Sequence, residues 1–146
     1  MQIFGFFKNN SEKELAKSHI KNLIAMAQAD GYFDQIEYEF LLQIARKHNL
    51  SEKNIEEVKN QPEKVNLNVP SNHEAKFHQL YDLVNMMMID GVVHNNEVRL
   101  CRNLAEQLGY HPDKVNDLVD SVMQHIQVGN SPTETLQRLQ RTIGVN

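Results

Sequence analysis

The sequence predicts an all-α chain, and three observations carry that prediction. Apolar residues recur at three- and four-residue steps, capping residues stand before most of these stretches, and nothing alternates with period two over a useful length. The chain has 146 residues, 40% apolar and 23% charged, with six Gly and four Pro. That composition suits a single domain over 1–146, able to bury roughly 70% of its unfolded surface. Such a core needs no disulfide, and the single Cys101 could not form one within the chain.

Each helix has its own reason. Ser11 and Glu14 look like a capping box for a first helix running to about Ala29, with Leu15, Ile20, Leu23, Ile24 and Ala27 on its apolar face. Asp34 and Glu37 form a second box, followed by Ile36, Phe40, Leu41, Ile44 and Ala45 as the inward stripe of a helix ending near His48-Asn49. Ser51 caps a short third helix that turns Ile55 and Val58 inward. Pro62 and the polar run from Asn66 to Asn72 mark a linker over about 61–70. Ser71 and Glu74 open the fourth helix, with Phe77, Leu80, Val84 and Met87 or Met88 buried. Asp90-Gly91 ends it, and His94 or Asn95 starts a fifth that breaks at Gly109-Tyr110. His111-Pro112 opens a sixth, with Val115, Leu118, Val119, Val122 and Ile126 inward and Gly129 at its end. Ser131-Pro132-Thr133-Glu134 caps a seventh before Gly144.

A sixty-residue offset lays the first half on the second without a gap. Leu23 falls on Leu83, Met26 on Met86, Asp30 on Asp90, Gly31 on Gly91, Glu37 on Glu97 and Ala45 on Ala105. Apolar also meets apolar at Ile24/Val84, Phe40/Leu100, Ile44/Leu104, Ile55/Val115 and Val58/Leu118. Two such halves, about 11–60 and 71–128, would each leave an apolar face uncovered. The expectation is therefore one bundle of about seven helices, with the halves packed about a pseudo-two-fold axis.

The stretch Met26-Ala27-Gln28-Ala29-Asp30-Gly31 through Glu37, and Met88-Ile89-Asp90-Gly91 through Glu97, resembles the doubled Asp-Gly-x(5)-Glu turn of the TerB-like tellurite-resistance family. The resemblance covers about Leu15 to Ile126. It implies an all-helical, non-enzymatic, cytoplasmic bacterial domain connected with tellurite or general stress. It also implies that the shared acidic residues hold a divalent metal ion.

The residues themselves allow two readings of those turns. Asp30, Asp34, Glu37, Asp90 and Glu97 are carboxylates that the pseudo-symmetry would gather onto one face, where Ca, Mg, Mn or Zn could bind as a cofactor. Asp30 stands at a helix C-terminus, facing the negative end of the dipole, so something must compensate it. The other reading needs no ion: Asp30 makes an Asx turn, Gly31 takes a left-handed conformation, and Asp34 with Glu37 cap the next helix. In the second copy His94, Asn95 and Asn96 stand where Asp34 and its neighbours would, so a carboxylate is lost there. An EF-hand is excluded, because its closing Glu comes eleven positions after the first Asp and Glu37 comes seven after Asp30.

Other classes fit less well. A net charge of −4 offers no basic footprint for nucleic acid, and the apolar start Met1 to Phe7 is too short for a signal segment or stable membrane insertion. His111-Pro112-Asp113 resembles the loop tripeptide of J-domain cochaperones, but the helix before it is close to neutral, and an N-cap with Pro in the first turn explains it. The seven histidines show no His-x3-His pair, which speaks against zinc, although His94 could add a nitrogen to an ion at its turn. Met86-Met87-Met88 and Cys101 read as core, and no Gly-rich phosphate loop is present. Ile3, Phe4, Phe6 and Phe7 need cover, either by packing on the bundle or by meeting another subunit or a membrane surface. The function expected is protein association, with a protein partner or a second copy, and with or without an ion. A metal-dependent hydrolase using Asp30, Glu37, Asp90 and Glu97 around an ion-bound water is the enzymatic alternative.

Overall fold

The computed structural model describes residues 2–29, 31 and 33–142, with 2–10 and 142 described in their backbone alone. Seven α-helices follow in order: α1 (Gln2–Ala27), α2 (Gln35–Lys47), α3 (Glu52–Asn60), α4 (His73–Met88), α5 (Asn95–Gln107), α6 (Pro112–Gln127) and α7 (Pro132–Thr142). One 3₁₀ turn, Pro62–Lys64, follows α3, and no strand occurs among the described residues.

The helix starts are chemical. Asp34 caps α2 by accepting from the Glu37 amide at 3.0 Å, and the Glu37 carboxylate accepts the Asp34 amide at 3.1 Å, a complete capping box. Ser51 and Asn54 form the same reciprocal pair at the start of α3. Asn72 caps α4 through the Ala75 amide at 2.9 Å, one residue later than the expected Ser71. The His111 Nδ1 accepts from the Asp113 amide at 3.1 Å, with Pro112 in the first turn of α6. The ends are equally specific. Asn49 takes φ 61° after α2, and the Leu50 amide reaches back to the Ala45 carbonyl at 2.9 Å. Sixty residues on, Gly109 takes φ 108° and the Tyr110 amide reaches Ala105 at 3.2 Å. Both are left-handed C-terminal closures, one built with Asn and the other with Gly.

Two further expectations change. α1 begins at Gln2, so Ser11 and Glu14 lie inside a helix and open nothing. Ser11, Glu12, Lys13 and Glu14 are all exposed, as a solvated helix surface would be. The side chains of Ile3, Phe4, Phe6 and Phe7 lie outside the described residues. Ile36, expected in the core, is 52% exposed, and Glu37 beside it is the buried residue. In the first turn of a helix the residue that folds back over the cap is covered, and its neighbour need not be.

α1 and α4 are the central helices. α1 packs on α2, α3, α4 and α5, while α4 packs on α1, α5, α6 and α7. Ile20, Leu23 and Met26 of α1 meet the same buried cluster as Phe77, Leu80, Leu83, Val84 and Met87 of α4. At about 25 cal/mol per Å², each such large side chain contributes roughly 1.5–3 kcal/mol on burial. Cys101 and Leu41, sixty apart, are both fully buried. The segment after α3 is tied down along α1: Lys21 Nζ donates to the Val65 carbonyl at 3.0 Å and the Asn68 amide donates to Ser18 Oγ at 2.9 Å. On α4, the Tyr81 hydroxyl donates to the Asn130 carbonyl at 2.7 Å, fixing the entry to α7.

Candidate functional site: the acidic turns and the cleft between α1 and α4

The turns after α1 and α4 are built alike wherever both are described. Gly31 has φ 82° and Gly91 φ 84°, the left-handed region that favours glycine. The Gly31 amide donates to the Gln28 carbonyl at 2.9 Å and the Gly91 amide to Met88 at 3.0 Å. Asp90 is exposed, and its Oδ1 accepts the Val92 amide at 3.0 Å, which is an Asx turn. Asp30 lies outside the described residues. Glu37 and Glu97 are 2% and 1% exposed, and each folds a carboxylate oxygen back onto its N-cap amide, Asp34 at 3.1 Å and His94 at 3.0 Å. Such contacts belong to helix starts, where amide protons lack partners along the chain and the dipole favours an acid.

Among the described residues no three His, Cys, Asp or Glu side chains converge as metal ligands would. Around the turns the chain shows apolar side chains instead: Ile36 is 52% exposed, Val92 53% and Val93 38%. Phe33, by contrast, is held between neighbours, its ring edge-on to Tyr38 with centroids 6.0 Å apart and Lys59 Nζ 5.7 Å from its centre.

A second feature carries more chemistry. A cleft of about 720 Å³ is lined by His19, Lys47, His48, His78, Asp82 and Glu74, among others, so it runs between α1, the end of α2 and the start of α4. At its base His19, 1% exposed, places Nε2 at 2.9 Å from Asp82 Oδ2. A carboxylate only accepts, so the proton of that bond is on Nε2. His48 stands edge-on to His19, with ring centroids 6.3 Å apart and planes at 87°. The side chain is exposed overall, but partial cover of its ring, and then the neighbouring His19, hold the His48 imidazole below its ordinary pKa, against an opposite pull from Asp82.

This dyad carries no His-x3-His signature, because its two members stand on different helices sixty-three residues apart. A signal existed. His19 and Asn22 on α1, and Gln79 and Asp82 on α4, are polar residues set three apart within apolar stripes, at positions sixty residues apart. His19, Asn22 and Gln79 are buried and Asp82 is largely so. Polar groups recurring in a core register are expensive unless they meet partners.

Comparison of the chain with protein-family models, with curated proteins and with solved structures returned no match.

Proposed function

We propose that this chain is a TerB-like helical domain of two related halves, about 11–60 and 71–128, acting without catalysis in the bacterial cytoplasm as a protein-association module in tellurite or general stress response. The observation that carries the reading is the equivalence of the two turns. Gly31 and Gly91 share one backbone conformation, and Glu37 and Glu97 share one buried position and one hydrogen bond. A repeated turn that spends its glutamates on capping is scaffolding, and the exposed Ile36, Val92 and Val93 beside it offer the apolar contact that association needs. Co-purification with the tagged protein from its own bacterium tests this. A partner that accompanies wild type and is lost from the Ile36→Asp, Val92→Asp double variant supports the reading. Identical partner profiles overturn it.

A second reading places a divalent cation of the calcium, magnesium or manganese class at the Asp-Gly turns. One observation favours it: Asp90 holds an exposed, oriented carboxylate just past the C-terminal end of α4, where the dipole is negative and a cation is welcome. Melting curves with each ion distinguish the readings. Ion-dependent stabilisation lost in Asp30→Asn and Asp90→Asn supports the cation, and unchanged curves favour the scaffold.

A further inference from the structure

The packing of α1 on α4 leaves one buried group unused. His19 spends Nε2 on Asp82, while Nδ1 of the same ring is shut off from solvent and has no hydrogen-bond partner among the described residues. An orphaned buried polar atom costs about 1–3 kcal/mol, and most native ones prove to be satisfied by a water, an ion or a ligand. This ring lines the cleft of about 720 Å³, with the His48 imidazole 6.3 Å away between ring centres.

We propose that the cleft between α1 and α4 binds a transition-metal ion of the zinc class, with His19 Nδ1 and the His48 imidazole as its two protein nitrogen ligands. The carboxylate behind His19 is the first reason. Metal-bound histidines usually donate their second ring N–H to a carboxylate or carbonyl, which selects the tautomer and makes the ligating nitrogen more basic. Asp82 does this at 2.9 Å, so Nδ1 is the nitrogen left with its lone pair. Ring spacing is the second. With metal–nitrogen bonds of about 2.0–2.1 Å, two imidazoles on one ion have centroids roughly 5 Å apart at a tetrahedral angle and roughly 6.4 Å apart when opposed. The observed 6.3 Å is wider than the tetrahedral spacing, so the rings must approach by roughly 1 Å on binding, and His48 is an exposed side chain that can make that movement.

The donor type selects the ion. Nitrogen ligands favour zinc and its neighbours, while calcium and magnesium take oxygen, so this site differs in kind from a cation at the acidic turns. No third His, Cys, Asp or Glu among the described residues converges with these two. Further ligands must therefore come from the same cleft wall, where His78 and Glu74 stand. Lys47 is the opposing charge on that wall, offset by Asp82 and Glu74.

The test uses the full chain, stripped with a chelator and titrated with zinc chloride by calorimetry and by melting temperature. The expected result is one zinc per chain and a raised melting temperature, with affinity at least tenfold weaker in His48→Ala and unchanged in Asp30→Asn and Asp90→Asn. His48 is exposed, so its variant tests the site without disturbing the core. Ring-nitrogen NMR gives a direct readout, with His19 and His48 resonances moving on zinc addition. Absence of zinc binding, binding of equal strength in His48→Ala, or loss of binding only in the Asp30 and Asp90 variants would each overturn the proposal.

Discussion

His19 on α1 and Asp82 on α4 meet at 2.9 Å across sixty-three residues of sequence, with the imidazole buried and the carboxylate at the cleft wall. The contact is a polar side-chain pair joining the two central helices beside a core cluster that includes Ile20, Leu23, Met26, Phe77, Leu80 and Val84. Its energetic weight comes less from charge than from what its loss would expose. Asp82→Ala would leave a buried Nε2–H with no acceptor, at a cost of about 1–3 kcal/mol. Asp82→Asn keeps an acceptor and should cost less. Urea unfolding of both variants in chelator checks this order, and equal loss in the two would mean that the hydrogen bond contributes little.

The two buried glutamates make a paired prediction. Glu37→Ala and Glu97→Ala each remove an acceptor from an N-cap amide and should each destabilise by about 1 kcal/mol, while Glu→Gln, which a capping box also accepts, should retain most of the stability. If these carboxylates were instead ion ligands, Gln would be as damaging as Ala, and only when the ion is present. Chemical denaturation of the four variants, with and without divalent ions, distinguishes the two.

The stripes of α2 to α7 were legible because helical periodicity is local: Leu41, Ile44, Phe77, Leu80, Val115 and Leu118 are all buried as their spacing requires. The start of α1 was not. Ser11 and Glu14 have the spacing of a cap, but that spacing signals a start only when the preceding residues are not helical, and here α1 already runs from Gln2. Ile36 and Glu37 traded the places hydrophobicity alone assigns, since the backbone amides at a helix start draw the acid inward. Among the site residues, the caps of Asp34 and Glu37 could be read from a four-residue window. The meeting of His19 with Asp82 could not, because it depends on how two helices cross.

Glycine at the turns should be hard to replace for a backbone reason alone. A Cβ added at Gly31 or Gly91 would touch nothing within 4 Å, yet φ stands at 82° and 84°. Gly31→Ala and Gly91→Ala are therefore expected to cost about 1 kcal/mol each, with Asn in place of Ala recovering part of it. The precedent is in the chain, where Asn49 already occupies a left-handed helix end at φ 61°. Melting temperatures of the four variants test this, and a larger loss for Asn than for Ala would contradict it.

Cys101 makes stability depend on alkaline pH. Burial pushes its thiol from the ordinary 9.0 up to about 12, so the folded chain keeps a proton that the unfolded chain gives up. The sign follows directly: the contribution is fully present below about pH 9 and is lost as pH rises towards 12, with a slope of about 1.4 kcal/mol per pH unit for one proton. Burial pushes the Tyr110 phenol up as well, so the wild type alone would mix the two groups. The comparison with Cys101→Ala separates them, because Tyr110 titrates in both proteins. The variant should start less stable at pH 8 and lose stability more slowly between pH 9 and 11. In the folded wild type a disulfide reagent should react with Cys101 only as fast as the chain unfolds. Rapid labelling at neutral pH, or parallel stability curves for the two proteins, would contradict a thiol buried in the core.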